Sequence, residues 1–285
     1  MLVVLAIIGV LAALLLPAVM YALVRARTTA VAIELGQLAS AIEAYKNDKG
    51  DYPPNFRDPA VVLRHIRKCY PKADTTYITT MVAAVCDQTN TAFIDEGESL
   101  VFWLAMTDND PRFPFLSLYN PDGKPENPKK YYEFDETRLK GGFISGGRQN
   151  APSFIAKNCQ DTPYIYIDSR SYERPSRDVV RFTGETGFSA PVPSSGWSQD
   201  DGAYVRPYWS TNTSGKTSNL LREQNKPINP TSFQLICAGL DGEFGHDLNN
   251  DTDVKIFPTG DNYVEEDKDN ITNFSSGKRL GDSIQ

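Results

Sequence analysis

The chain has 285 residues, 40% of them hydrophobic and 11% aromatic, a composition that suits a folded protein rather than a disordered one. Its net charge of -7 excludes the basic surface a nucleic-acid binder needs, and the acidic residues gather towards the C-terminus, where divalent cations are better partners than polyanions. Beyond the N-terminal apolar run about 260 residues remain, room for one large domain or two small ones.

That run, MLVVLAIIGVLAALLLPAVMYALV (1–24), precedes the first strongly charged side chain, Arg25. As a helix it reaches ~36 Å, enough to cross a ~30 Å hydrocarbon core, and it has no polar face. A cleaved signal peptide fits it poorly: the basic start and the small-residue cleavage site are missing, and the run is too long. A membrane anchor is the expectation. Over 25–50, Val31, Leu35, Leu38, Ile42 and Tyr45 recur at steps of four and three, one apolar stripe with Arg27, Glu34, Gln37 and Lys46 elsewhere on the surface. Gly50, then Pro53 and Pro54, stop the helix. The first 48 residues therefore read as one helix ~70 Å long, apolar all round in its first half and on one side in its second.

Past Pro54, DPAVVLRHIRKCY reads as a short helix with Asp58 at the N-cap and Pro59 at the first position. TTYITTMVAAVCDQ is a candidate second helix, and ESLVFWLAMTD, the strongest apolar run outside the anchor, a buried helix packing on the stripe. His65 has no second histidine nearby and reads as a partly exposed structural residue, not a ligand. Residues 107–231 carry recurrent turn signals, with strand-like runs at YYEFD, PYIYIDS, DVVRFTG and AYVRPYW, a loop-rich β insertion suited to recognition. In PYIYIDS, tyrosines and isoleucines alternate, as on a strand with two different faces. GGFISGG lacks the lysine-serine pair of a phosphate loop and reads as a flexible turn. Phe233–Ala238 reads as a strand buried on both faces.

Cys69, Cys86, Cys159 and Cys237 lie far apart with no CxxC spacing, which argues against zinc and thioredoxin-type chemistry. In an exported protein two disulfides are expected, with three connectivities open and Cys69–Cys86 plus Cys159–Cys237 preferred; buried free thiols are the alternative. Within the acidic segment 239–270, Asp247, Asn249, Asp251 and Asp253 fall at every second position, as in an oxygen cage for calcium. A second group, Asp261, Glu265, Glu266, Asp267 and Asp269, follows. An EF-hand is excluded by Thr252 at the sixth position and Pro258 at the twelfth. Asp247 and Asp251 are the first candidate ligands, then Asn249, Asp253 and Asp269; a solvated acidic loop is the alternative. Hydrolase, zinc-protease, dinucleotide and phosphate-loop motifs are absent, so no catalytic residue is assigned.

The run LVVLAIIGVLAALLLPAV and the helix ending AYKNDKGDYPP resemble the start of type IV pilins and type II secretion pseudopilins, a resemblance specific over residues 1–54. In that family a leader is cut just before FTLxE; here Met1 stands where the residue after the glutamate normally falls, so leader, cleavage site and glutamate are expected to precede it. With Met1 as the true start, Arg25 and Arg27 would hold the head in the cytoplasm and waste the cysteines. A weaker resemblance covers GLDGEFGHDLNNDTD, where major pseudopilins carry an AGxDG turn and an aspartate-rich calcium loop. The resemblance implies an α+β fold, a long helix bearing a β-rich head over 51–285. It implies a structural subunit held in the inner membrane, then assembled into a helical homo-oligomeric filament by an ATPase and a membrane platform. It also implies that helix is lost between Gly9 and Pro17 on assembly, where backbone hydrogen bonding is weakest. The alternative from another class is a membrane-anchored binding or adhesion protein using 107–231.

Overall fold

The computed structural model describes residues 2–86, 94–108, 110–115, 128–140, 151–172, 205–210, 225–245 and 254–284. Helix α1 runs Leu2–Lys49 without interruption, with Pro17 inside it. Gly50 ends it: its φ of +76° is a left-handed conformation that suits glycine, and its N–H reaches the Lys46 carbonyl at 2.7 Å. Three shorter helices follow, α2 (Pro59–Cys69), α3 (Thr75–Val85) and α4 (Glu96–Ala105). Each starts on an aspartate that accepts backbone N–H groups left free by helix geometry: Asp58 from Ala60, Asp74 from Tyr77, and Asp95 from Gly97 and Glu98. Glu98 bonds back to the Asp95 N–H at 3.1 Å, completing a capping box.

The strands are short. β1 (Leu139–Lys140) pairs with β2 (Ser153–Phe154); β3 (Ile165–Asp168), β6 (Phe233–Cys237) and β8 (Ile271–Thr272) form an antiparallel sheet with β6 central; β4 (Tyr208–Ser210) lies between antiparallel β5 (Lys226–Pro227) and parallel β7 (Lys255–Phe257). The β3-β6-β8 sheet divides the core. Tyr164 and Tyr166 of the β3 segment, with Phe233, Leu235 and Cys237 of β6, join the cluster that holds the α1 stripe and α4. Ile165, Ile167, Ile236 and Ala238 face a second cluster with Tyr208, Phe244 and Leu280. The alternation read from PYIYIDS therefore separates two buried faces. Val31, Leu35, Leu38, Ile42 and Tyr45 are all buried. Trp103 of α4 is fully buried, its ring 5.4 Å from Phe56, 6.0 Å from Tyr45 and 5.2 Å from His65.

The fold is α+β, with a long apolar N-terminal helix and small sheets. Three expectations need correction. Among the described residues the head is less β-rich than the sequence suggested: α2 to α4 build much of the core there, and no described strand exceeds five residues. Tyr131–Asp135 forms no strand, though its aromatic rings still pack on the core, Tyr131 on Tyr45 at 5.1 Å and Phe134 on Phe154 at 4.9 Å. In the AYVRPYW run the described residues form a strand only from Tyr208, past Pro207, which has no N–H to give a ladder. DVVRFTG lies outside the described residues.

Candidate assembly helix and acidic turn

Helix α1 presents two different surfaces. From Val3 to Leu23 every described side chain is exposed, Gly9 and Pro17 among them, and nothing lies within 4 Å of where a Gly9 Cβ would stand. The helix is long and apolar enough to cross a membrane, and its most apolar window has no buried residue. From Thr28 onward one face is covered by the head, while Ile33 on the other face remains 59% exposed.

A charged clasp joins the covered half to the head. Arg138, just before β1, meets the Glu34 carboxylate through both terminal nitrogens at 2.5 and 2.7 Å. Tyr164 donates its hydroxyl to the same carboxylate at 2.6 Å, and Arg138 also donates to the Ile155 carbonyl and lies 4.2 Å over the Phe154 ring. The sequence put Glu34 on the free surface. The fold instead pairs it with partners 104 and 130 residues away.

After Gly50, the DYPPN segment is fastened to β3. Asn55 donates to the Tyr166 carbonyl at 2.8 Å and accepts from the Asp168 N–H and the Ser171 hydroxyl. Trp103 donates to the Pro54 carbonyl, Tyr166 to the Pro53 carbonyl, and Arg170 to that of Tyr52. His65 is another correction: it is buried, not partly exposed, because its ring stacks on Tyr45 of α1 and meets the edge of Trp103 of α4. Its Nε2 is 2.9 Å from the Tyr45 hydroxyl, and burial pulls its pKa from 6.5 to about 3.

At the other end of the head, Ala238–Gly242 turns tightly. Gly239 (φ +76°) lies against the backbone of Asp269, where any side chain would collide. Asp269 accepts the Leu240 and Asp241 N–H groups at 2.5 and 3.2 Å and pairs with Arg279 at 3.2 Å. The opposite flank is held by Thr162, whose hydroxyl donates to the Gly242 carbonyl at 2.7 Å. Burial pushes the Asp241 carboxyl up to about 6, with the charges of Asp269, Glu243 and Glu266 adding to the effect.

The second acidic group does not act as one cluster. Asp267 is fully buried and pairs with Lys255 at 2.6 Å, accepting also from Val264 N–H and the Tyr208 hydroxyl. Glu265 pairs with Lys268, and Asp261 accepts the Thr259 hydroxyl. Asp269, a candidate ligand, has both oxygens on protein donors. Asp247, Asn249, Asp251 and Asp253 lie outside the described residues, and among the described residues no group of three or more histidine, cysteine or acidic side chains is arranged to hold a metal.

All four cysteines are thiols. The expected Cys69–Cys86 bridge is not formed: Cys69 faces the His65 ring (3.5 Å) and the Lys49 carbonyl (3.8 Å), and Cys86 caps α3 inside the core. Cys159 and Cys237 are brought together, sulfur to sulfur at 3.2 Å, with no covalent bond. The clasp at Glu34 and the anchoring by Asn55 were missed from the sequence. The DYPPN context, polar and wedged between two helices, was the one signal available for Asn55. Comparisons of the chain with protein-family models, with curated proteins and with solved structures each returned no match.

Proposed function

We propose that the chain is a structural subunit of a type IV pilus-like or type II secretion pseudopilus filament, built through its N-terminal helix. The observation that carries this reading is α1 itself, one unbroken helix whose first half is apolar with every described side chain from Val3 to Leu23 exposed and whose second half is clasped to the head. A bare apolar helix needs a dry environment. Lipid supplies one before assembly and neighbouring copies of the helix supply one after it, so the apolar surface stays out of water throughout. The subunit waits as a single-pass protein of a bacterial inner membrane, and an ATPase with its membrane platform then draws it into a periplasmic or surface filament. The chain has no catalytic part in this.

Calcium is the proposed ligand of the segment after Asp241, held by Asp247, Asn249, Asp251 and Asp253, while Asp269 holds the Leu240 and Asp241 amides of the turn that precedes them in the chain. Burial, the largest cause, and then the charges of Asp269, Glu243 and Glu266 raise Asp241, and a cation beside these carboxylates would offset that repulsion. Calcium takes six to eight oxygens at about 2.3–2.6 Å in irregular geometry, whereas magnesium demands a tighter octahedron. Negative-stain microscopy of cells with and without the gene tests the filament reading. Fibres that vanish with the gene and carry the protein along their length are expected. A protein that stays dispersed in the membrane, with fibres unchanged, would favour the anchored binding protein instead.

A further inference from the structure

We propose that Cys159 and Cys237 are a disulfide site, closed as the exported head folds, and that the bond locks the Ala238–Gly242 turn from which the acidic segment departs. The two sulfurs lie 3.2 Å apart, and the residues are 1% and 0% exposed. A disulfide needs about 2.05 Å, so a shift of little more than 1 Å completes it. The other two cysteines have different neighbours, which makes the pairing selective.

The surroundings of Cys159 show what the bond would hold. The loop that carries it places three non-glycine residues in the left-handed region, Asn158 (φ +62°), Gln160 (+43°) and Asp161 (+62°). Asn158 and Asp161 are types that tolerate this region and Gln160 is not, so the run depends on its surroundings to hold it. The same loop touches the acidic turn directly. Thr162 donates to the Gly242 carbonyl at 2.7 Å, and a Cβ on Gly242 would stand 2.8 Å from that of Gln160. Cys237 ends β6, one residue before the turn begins. A bond between the two therefore ties both walls of the turn, while Asp269 holds its amides from the third side.

In the reaction both S–H bonds break and one S–S bond forms. The two protons go to solvent or to the leaving thiolates, and two electrons pass to a disulfide donor, a protein disulfide of the compartment or oxidised glutathione, which becomes two thiols. Exchange needs a thiolate that the donor can reach, so the bond closes during folding, before the sulfurs are buried. In the cell this rests on the head being exported; refolding in a glutathione buffer does not.

The test uses the full chain in detergent, reduced, denatured, refolded in glutathione buffer, then denatured again without reductant in the presence of a maleimide. Label on Cys69 and Cys86 alone, with the Cys159–Cys237 cross-linked peptide recovered, is expected. Label on all four, or Cys69 linked to Cys159, overturns the site. Hydrogen exchange then compares the oxidised chain with the same chain reduced in its folded state and with a Cys159→Ala/Cys237→Ala variant. The Leu240 and Asp241 amides should exchange about tenfold faster without the bond. Unchanged protection in both comparisons overturns the lock. A bond that forms on refolding but is absent in cells would count against export, not against the site.

Discussion

Glu34 carries the clasp between α1 and the head, and its side chain and that of Arg138 are only 14% and 20% exposed. Glu34→Gln keeps the shape but leaves the guanidinium without its counter-charge. Removing one partner of a largely buried pair costs about 3 kcal/mol, where exposed Gln37→Ala should stay within about 0.5. Urea unfolding of a chain starting at Arg25 reads the difference; a loss no larger than the Gln37→Ala control would rule out a stabilising clasp. His65 gives a second residue-scale prediction. Its folded pKa, about 3, lies below its ordinary 6.5, so the unfolded state binds the extra proton. The stability due to its neutral ring is complete above about pH 6.5 and falls away as pH drops towards 3. NMR of the ring nitrogens should find His65 still neutral at about pH 5, where an ordinary imidazole is charged; a midpoint near 6.5 would contradict its burial.

Among the elements, α1 carries a face covered by the head and a face left exposed. Leu38 is fully buried against the head, so Leu38→Ala should cost about 3 kcal/mol by losing contacts and leaving a cavity. Ile33 is exposed, so Ile33→Ala should leave unfolding unchanged within about 0.5 kcal/mol while reducing the yield of filaments in sheared fractions. Equal losses of stability in the two variants would mean that the covered face has been misassigned. The stripe, Gly50 and the Asp58–Pro59 start were legible because their causes are local: a 3.6-residue period, a left-handed stop, an aspartate cap. β3 and β6 were legible because alternation and apolar runs register the two buried faces. Asn55, Glu34 and the buried Lys255–Asp267 pair were not, since each depends on partners that only the folded topology brings near. The burial of His65 escaped for the same reason: its covering partners, Tyr45 and Trp103, lie 20 and 38 residues away on other helices.

The whole molecule joins an exposed apolar helix, a clasped head and an acidic C-terminal segment. If the acidic segment holds calcium, the ion stabilises the folded form by mass action as its concentration passes the dissociation constant. Thermal unfolding should shift upward with calcium, little with magnesium, and back with chelator, and Asp247→Ala/Asp251→Ala should abolish the shift. A melting temperature indifferent to calcium, or a variant that responds in full, would remove the site.

The central claim is that residues 2–24 leave lipid only to enter the core of a filament. A helical reconstruction of filaments sheared from cells that carry the gene tests it most directly. Expected are α1 helices of successive copies packed along the axis, heads outside, and loss of regular helix between Gly9 and Pro17, where the free chain is continuous. Filaments whose axis is built from head-to-head contacts, or an α1 that remains straight and unbroken from Leu2 to Tyr45, would contradict it.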